Sequence, residues 1–508
     1  MALYITFFLY FCIVFFIGFR AYRATLSHED YVLGGRRLNS LITALGVGAS
    51  DMSGWLMIGM PGAIYAFGMD HIWTPVGLII GAYLNWKLVA YRLRVFTFEA
   101  NNSLTIPSYL EHRFKDETKS LRLLTSLIVI IFFTVYSSAG FVSAGILFSS
   151  SFGITYHTAL IIGATLLVLY ASIGGFLAVN WVDVFQGGLM LLALIVLPLY
   201  IMYLLNYTDP NLLSIAHLKA NYGTQFSSSY FNFIPQGSNL AVSIALASTL
   251  SWGLGYFGQP HILVRFMASE SKNSIRSARK ICMSWMILAL TGSVAVGLLA
   301  KIFYLNSPLA DPEQAFFQLV QDNINEWVAG WFIAAVLSCI MSTVAAQLIL
   351  SASALAEDIY HARINPYATD RKLLWVGRST VILVASLAIM FAWNKESSVL
   401  DLVGHAWAGL GASFGPVVLM SLFWRRMTKQ GAMCGMIMGT LTIILWIIAR
   451  HLWYIPALDT TSWLQLYEMI PAFVINFMTI IVVSLLDNKP DPEIEELYNR
   501  SHKLCIES

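Results

Sequence analysis

The chain reads as an all-α polytopic membrane protein of about thirteen transmembrane helices. Composition is the first reason. Of 508 residues, 57% are hydrophobic and only 11% charged, less than half the ~25% charge of soluble domains, and the mean hydropathy is +0.68. The second is a series of apolar runs, each near the ~20 residues that cross a bilayer. They fall at roughly 3–22, 39–67, 72–95, 122–150, 156–179, 184–205, 237–258, 278–304, 326–356, 373–393, 399–423, 430–450 and 465–486. The third is the distribution of basic residues between alternate loops.

On one side lie Arg20, Arg23, Arg36 and Arg37, then the basic residues of 87–122, 265–280, 363–378 and 425–429, and finally Lys489, Arg500 and Lys503. The other side holds only Lys219, Lys301, Lys395 and Arg450, four of the 30 basic residues. The excess marks the cytoplasmic side, so the expected N-terminus is outside and the C-terminus inside. A formal net charge of +2 sorted in this way does not form a nucleic-acid-binding patch.

The first run lacks a basic leader and a small-residue cleavage site, and reads as a retained helix. Residues 1–35 are then a first transmembrane helix with its cytoplasmic loop. Residues 36–205 form a first five-helix unit, 206–236 an extracellular loop, and 237–424 a second five-helix unit. Residues 425–487 supply two further helices and 488–508 a cytoplasmic tail. The tail, charged and bearing Pro490 and Pro492, is expected to be flexible. Short surface helices are compatible with the polar stretches 206–237 and 306–325. The five cysteines show neither CxxC nor Cys/His ligand spacing.

The second run carries the chemistry. Ala44–Trp55 places Gly46, Gly48, Gly54, Ser50, Ser53 and the carboxylate of Asp51 inside a spanning segment. A charge at that depth costs at least ~2.5–3.5 kcal/mol, so it faces protein, water or an ion. Neighbouring glycines weaken the helix and free carbonyls to act as ligands. A glycine-rich packing face with a hydrogen-bonded Asp51 is the structural alternative.

Five spans later, Ser251–His261 holds Gly253, Gly255, Gly258 and Pro260, with Trp252 and Tyr256 one helical turn apart. Two interrupted helices at matching positions are the mark of an inverted 5+5 helix repeat. In the ninth span, Ser342 and Thr343 offer hydroxyl oxygens of the kind hard cations prefer, although such hydroxyls also bond back to their own helix. His71, His261 and His405 lie in separate segments without metal spacing and read as satisfied or interfacial side chains.

These residues carry a resemblance. Leu33-Gly-Gly-Arg-Arg-Leu38, Ala49-Ser-Asp-Met-Ser-Gly-Trp55, Trp252-Gly-Leu-Gly-Tyr-Phe-Gly-Gln-Pro-His261 and Met341-Ser-Thr343 resemble the sodium/solute symporter family. Within it they are similar to the bacterial sodium/proline symporter branch. The likeness runs in order from about Asp30 through Trp407-Ala-Gly409 to Ile470-Pro471.

It implies a LeuT-like core and a non-enzymatic function: sodium-coupled uptake of L-proline across a bacterial cytoplasmic membrane, by a monomer surrounded by lipid. Sodium would take carbonyls of Ala49, Met52 and Cys339 with side-chain oxygens of Ser342 and Thr343. Asp51 and Ser53 would support coupling, with Asp51 in or beside the ion's shell. Gly54 would allow close helix approach. Proline would sit against Tyr136, Trp252, Tyr256 and Pro260. Arg36 resembles a position that affects coupling, and Asp183 one linked to ion movement, with an interfacial helix cap as its structural alternative. A symporter for another small organic solute, sodium- or proton-coupled, is the nearest rival. A membrane-embedded subunit of an ion-translocating enzyme is further away, since no paired haem histidines or cysteine cluster is present.

Overall fold

Two breaks in otherwise helical spans organise the molecule. The computed structural model describes residues 1–24, 28–173, 175–222, 226, 229–394, 399–453 and 463–507. Lys395, one of the four basic residues on the sparse side, lies outside them.

The first broken helix starts at Ser40–Gly54, where the Asn39 side chain accepts from the Ile42 N–H, and departs from helical geometry at Ser53 (φ 41°, ψ −173°). It restarts through a wide turn at Trp55–Gly59 and continues as Met60–Phe67. The second runs as Asn239–Leu250, tightens into a 3₁₀ stretch over Ser251–Gly258, extends at Gln259 (φ −83°, ψ 107°) and resumes as Pro260–Ala268. An eight-residue 3₁₀ run is unusual and marks a strained segment. Pro260 accounts for its end: it pushes the preceding residue out of the helical region and suits the first position of a new helix.

Around these breaks the described residues contain eleven helices long and apolar enough to cross a membrane. The two other expected spans differ from that standard for identifiable reasons. The span expected at 72–95 is Trp73–Leu84, a wide turn at Asn85–Val89, and Ala90–Glu99. The span expected at 156–179 is the shorter Tyr156–Ile173, because a new helix already begins at Phe176.

The first broken helix is enclosed by Phe176–Thr208, Lys272–Phe303 and Glu326–Ser353, and the second packs on Val399–Phe423 and Trp73–Leu84. Residues Thr43–Gly54 are buried throughout. Outer helices such as Ala2–Arg23 and Asp370–Ala392 instead expose Phe8, Phe16, Ile382 and Met390, an apolar rim suited to lipid.

The end carrying most basic loops is closed by backbone and guanidinium bonds. Leu38 N–H donates to Ala268 C=O (3.1 Å) and Glu270 N–H to Leu38 C=O (3.0 Å), joining the ends of both broken helices. Arg122 bridges Glu111 (2.9 Å) and Asp358 (2.7 Å).

The expectation of a flexible tail is corrected: Pro492–Glu507 is a helix. Ile494, Tyr498 and Ser501, at helical spacing, are its buried residues. Arg113 donates to Ile494 C=O (3.5 Å) and Arg500 pairs with Glu99 (2.7 Å). The loops admit short helices at Pro210–Leu213, Ile215–Tyr222 and Ala315–Asn323.

Candidate functional site

The breaks face a shared cavity. Asp51, Trp55, Tyr136, Trp252, Tyr256 and Trp407 are among its lining residues, and its free volume is about 10 Å³. That is room for about one water molecule, so these side chains must part to admit a solute.

Each wall has a local cause. The Ser53 break places Asp51 at the end of a helical half. Its carboxylate accepts a short hydrogen bond from the Tyr256 hydroxyl on the second broken helix. Asn85 Nδ2 donates to Tyr256 C=O (2.9 Å), holding the 3₁₀ backbone in place. Trp407 Nε1 donates to Trp252 C=O (2.8 Å). The missing side chain at Gly255 makes room for that indole, because a Cβ there would sit 2.0 Å from Trp407 Nε1. On the side away from the basic loops, Trp55 stacks on Trp252 with centroids 6.0 Å apart, and Trp252 stacks on Tyr467 at 5.5 Å. The Tyr467 hydroxyl donates to Gly404 C=O (2.5 Å). Three rings from three segments therefore form a roof.

Beside the cavity, oxygens gather between the first broken helix and Glu326–Ser353. Ser342 Oγ donates to Ala49 C=O (2.8 Å) and Cys339 C=O (3.1 Å). Thr343 Oγ1 donates to Cys339 C=O (3.3 Å) and accepts from Ser53 N–H (3.0 Å). Met52 C=O accepts from Trp55 N–H at the helix end. Carbonyl and hydroxyl oxygens of this kind are the donors a hard monovalent cation takes. The hydroxyl protons now resting on Ala49 and Cys339 carbonyls would turn away and present lone pairs to an ion. Gly54 seals this contact: a Cβ would lie 2.3 Å from Ser143 Oγ and 3.6 Å from Ile340 Cγ1. No group of three or more His, Cys, Asp or Glu side chains suited to a metal occurs among the described residues.

The expected residues divide. Tyr136, Trp252, Tyr256, Asp51, Met52 and Ser53 line the cavity, while Ala49, Cys339, Ser342 and Thr343 form the oxygen cluster. Pro260 is not among the cavity-lining residues: it is buried at the start of its helix and shapes the wall through the backbone break. Arg36 is remote, binding Asn102 (2.8 Å), Met267 C=O (2.9 Å) and Ser103 C=O (2.8 Å) at the closed basic end. Asp183 is fully buried and pairs with Arg265 at 2.9 Å, which is neither an interfacial cap nor a cavity wall.

The histidines differ from one another. His71 sits beside Asp70 (2.9 Å) and His405 bonds Glu468 (2.5 Å). His261 is fully buried, and neither ring nitrogen has a hydrogen-bond partner, contrary to the expectation of a satisfied side chain. Residue type alone does not single out Tyr467, and Trp55 and Trp407 enter the sequence reading only as parts of motifs. The small-residue run Ala406–Ser413 in a spanning helix is the signal that another segment approaches there.

Comparison with known proteins agrees with this architecture. The Sodium:solute symporter family matches residues 31–439. A protein named sodium/proline symporter from Haemophilus influenzae is 44% identical over 99% of this chain and 98% of its own length. One of the same name from Escherichia coli is 44% identical over 96% and 94%. The high-affinity proline transporter PutP of Bacillus subtilis is 43% identical over 95% and 98%.

Among solved structures, the outward-open state of a Na+-coupled sialic acid symporter superposes with TM-score 0.77 at 16% identity, covering 97% of this chain and 99% of that one. The nucleobase-cation-symport transporter Mhp1 in a closed conformation gives 0.56 at 12% identity, with 94% and 99% covered. These likenesses establish a LeuT-type fold. With a family match across most of its length and relatives above 40% identity over nearly all of it, the chain belongs to the sodium:solute symporter family.

Proposed function

We propose that this chain imports L-proline together with sodium across the bacterial cytoplasmic membrane, by alternating access. The observation that carries the reading is the pairing of a small aromatic-walled cavity containing Asp51 with an oxygen cluster on the same broken helix. Relatives at 40–44% identity named for proline transport support the substrate.

Sodium is a co-transported substrate here. The carbonyls of Ala49, Met52 and Cys339 and the hydroxyls of Ser342 and Thr343 would hold it. An ion there ties Glu326–Ser353 to the Ser53 break and so orders the adjoining cavity wall. Proline enters a cavity whose aromatic rings cover the pyrrolidine methylenes. Coupling follows if sodium binds the conformation with the ordered cavity more tightly than the other, since a ligand shifts an equilibrium only by its differential affinity. Ser53 holds the break open through its N–H to Thr343, and Gly54 lets the helices meet. Arg36 acts from the basic end, where its bonds join segments that must part for release inward. Asp183, paired with Arg265 away from the cavity, would affect ion movement through the packing of Phe176–Thr208.

The charge asymmetry supports a cytoplasmic basic end, an external N-terminus and a cytoplasmic C-terminus. The unit of function in this reading is a monomer in lipid.

The test is uptake of labelled L-proline into proteoliposomes under an inward sodium gradient, against matched potassium and proton gradients. Sodium-dependent accumulation supports the reading. Sodium-driven uptake of a different solute would keep the ion site and replace the substrate. Accumulation with protons alone would replace the ion.

A further inference from the structure

We propose that Lys87 and Arg279 receive the phosphate of an anionic phospholipid at the basic end of the molecule. The site faces lipid, where residues 73–99 pack beside Lys272–Phe303. It lies outside the cavity, and its assignment does not depend on which solute is carried.

Charge is the first argument. Residues 71–98 and 271–303 contain no Asp or Glu, yet carry cations from Lys87 to Arg94 and from Lys272 to Lys280. Elsewhere at this end the cations have partners. Arg122 holds Glu111 and Asp358, Lys429 holds Asp116, and Arg94 donates to Ser269 C=O (2.5 Å) and Glu270 C=O (2.6 Å). Among the described residues, by contrast, Lys87, Lys272, Arg276, Arg279 and Lys280 enter no ion pair. Like charges gathered without a counter-ion repel one another, and an arriving anion relieves them.

Placement is the second argument. On one helix exposed Ile80 and Leu84 precede exposed Lys87; on the other, exposed Leu288 and Ile287 give way to Lys280 and Arg276. Both surfaces change from apolar to cationic at one level, which is where lipid headgroups stand.

Tyr83 joins the two helices at that level. Its ring, 43% exposed, has Lys87 Nζ 5.8 Å and Arg279 Cζ 5.7 Å from its centre. One phenol thus gathers a cation from each helix. A phosphate set between an ammonium and a guanidinium takes charge-assisted bonds from both, and the acyl chains continue along Leu84 and Ile80.

The backbone explains why Lys87 faces outward. It sits in the wide turn Asn85–Val89, a feature frequent at functional sites. Asn85 and Trp86 are buried there: Asn85 Nδ2 donates to Tyr256 C=O (2.9 Å), and the Trp86 ring lies 4.6 Å from that of Phe266. Lys87 and Leu88, the next two residues, are exposed. A headgroup held by Lys87 and Arg279 fixes this turn against Lys272–Phe303 and so steadies Asn85 behind the cavity wall.

The test titrates the purified full chain in neutral detergent with phosphatidylglycerol and reads Tm. Phosphatidylcholine and glycerophosphoglycerol, the same headgroup without acyl chains, serve as controls. Phosphatidylglycerol is expected to raise Tm saturably, and neither control to do so at equal concentration. Each cation near the surface contributes a factor of about five, so Lys87→Gln with Arg279→Gln should raise half-saturating phosphatidylglycerol roughly 30-fold. Lys87→Arg with Arg279→Lys keeps both charges and should stay within about threefold. Arg20→Gln with Arg23→Gln, at the basic end of another helix, should leave the titration unchanged. Tm without lipid shows whether each variant is folded; if the double Gln variant is not, the single ones, each expected to cost about fivefold, carry the test.

An unsubstituted chain that ignores phosphatidylglycerol, or a double Gln variant that responds as well as it does, would overturn the site. So would an equal response to phosphatidylcholine, or an equal loss in the Arg20 and Arg23 variant. An equal response to glycerophosphoglycerol would make this a site for a soluble phosphate and overturn the lipid. The link through Asn85, which alone rests on the proline reading, predicts about threefold tighter proline binding with phosphatidylglycerol than with phosphatidylcholine. Equal proline affinity in the two lipids would overturn that link, whatever the Tm titration gives.

Discussion

The hydroxyl of Tyr256 donates to the carboxylate of Asp51 across 205 residues of sequence, joining the two broken helices at the cavity. Removing it with Tyr256→Phe keeps the ring and leaves the carboxylate without its neutral partner. Apparent proline KM should rise roughly 10-fold, as for loss of a hydrogen bond to a charged group. Tyr256→Leu, which also removes the ring, should be worse. Initial-rate uptake at saturating sodium separates the two contributions.

Gly54 faces Ser143 with no room for a methyl group. Gly54→Ala should cut uptake by more than about tenfold, because overpacking of this kind costs ~1–3 kcal/mol and falls on the moving contact. Ser143→Ala should not repair it, since Ser143 Cβ also lies 2.6 Å from the added carbon. Gly54→Ala combined with Ser143→Gly should recover much of the lost rate. Uptake measured alongside membrane protein level distinguishes this from poor expression.

Ser342→Ala and Thr343→Val each remove one hydroxyl from the oxygen cluster while nearly preserving volume. Half-saturating sodium should rise about tenfold for each, the effect of losing one good ligand oxygen. Maximal proline binding at very high sodium should stay close to that of the unsubstituted chain. A sodium titration of labelled-proline binding checks both. Equal loss of proline affinity at every sodium concentration would count against an ion role.

Asp116 lies in the basic loop region before Ser120–Phe152 and is enclosed there. It accepts from Leu121 N–H (2.6 Å) and Thr118 Oγ1 (2.6 Å) and pairs with Lys429 at 2.5 Å. Burial alone would raise its pKa, but the Lys429 ammonium and these donors outweigh it and hold the carboxyl down at about 2. Because the folded value lies below the unfolded ~3.9, the stabilisation is present above pH 4 and is lost as pH falls toward 2. Asp116→Asn should lower Tm by roughly 2–5 °C at neutral pH. The gap should be constant from pH 5 to 8 and narrow below about pH 4. Thermal unfolding across that range checks the sign.

The chemistry-bearing residues were legible where an expensive group sits in an apolar run. Asp51 at a glycine-rich point and the hydroxyls of Ser342 and Thr343 are such cases. The break itself was readable from Pro260, but the role of Pro260 was not: only the folded backbone places it at a helix start, away from the cavity lining. The roles of Trp55, legible only as the end of a motif, and of Tyr467 were not readable, because an aromatic residue in a membrane segment is unremarkable until its neighbours are known. Their stacking depends on distant segments meeting, which no local pattern encodes. The last helix was hidden differently. Ile494, Tyr498 and Ser501 have helical spacing, but the surrounding charges and prolines resemble those of an unstructured tail.

The roof of stacked rings has a kinetic meaning. Trp55, Trp252 and Tyr467 come from three segments, so access from that side requires parting two ring contacts. Each is worth only ~0.5–1.5 kcal/mol beyond burial. A closure of that strength is a latch that thermal motion releases often, and the modest free energy of an arriving ion is enough to bias it. The path toward the basic end is different, because backbone bonds through Leu38 and a buried Arg36 must separate there. The molecule is thus asymmetric as a valve: readily unlatched on one side, and firmly barred on the other until its cargo is aboard.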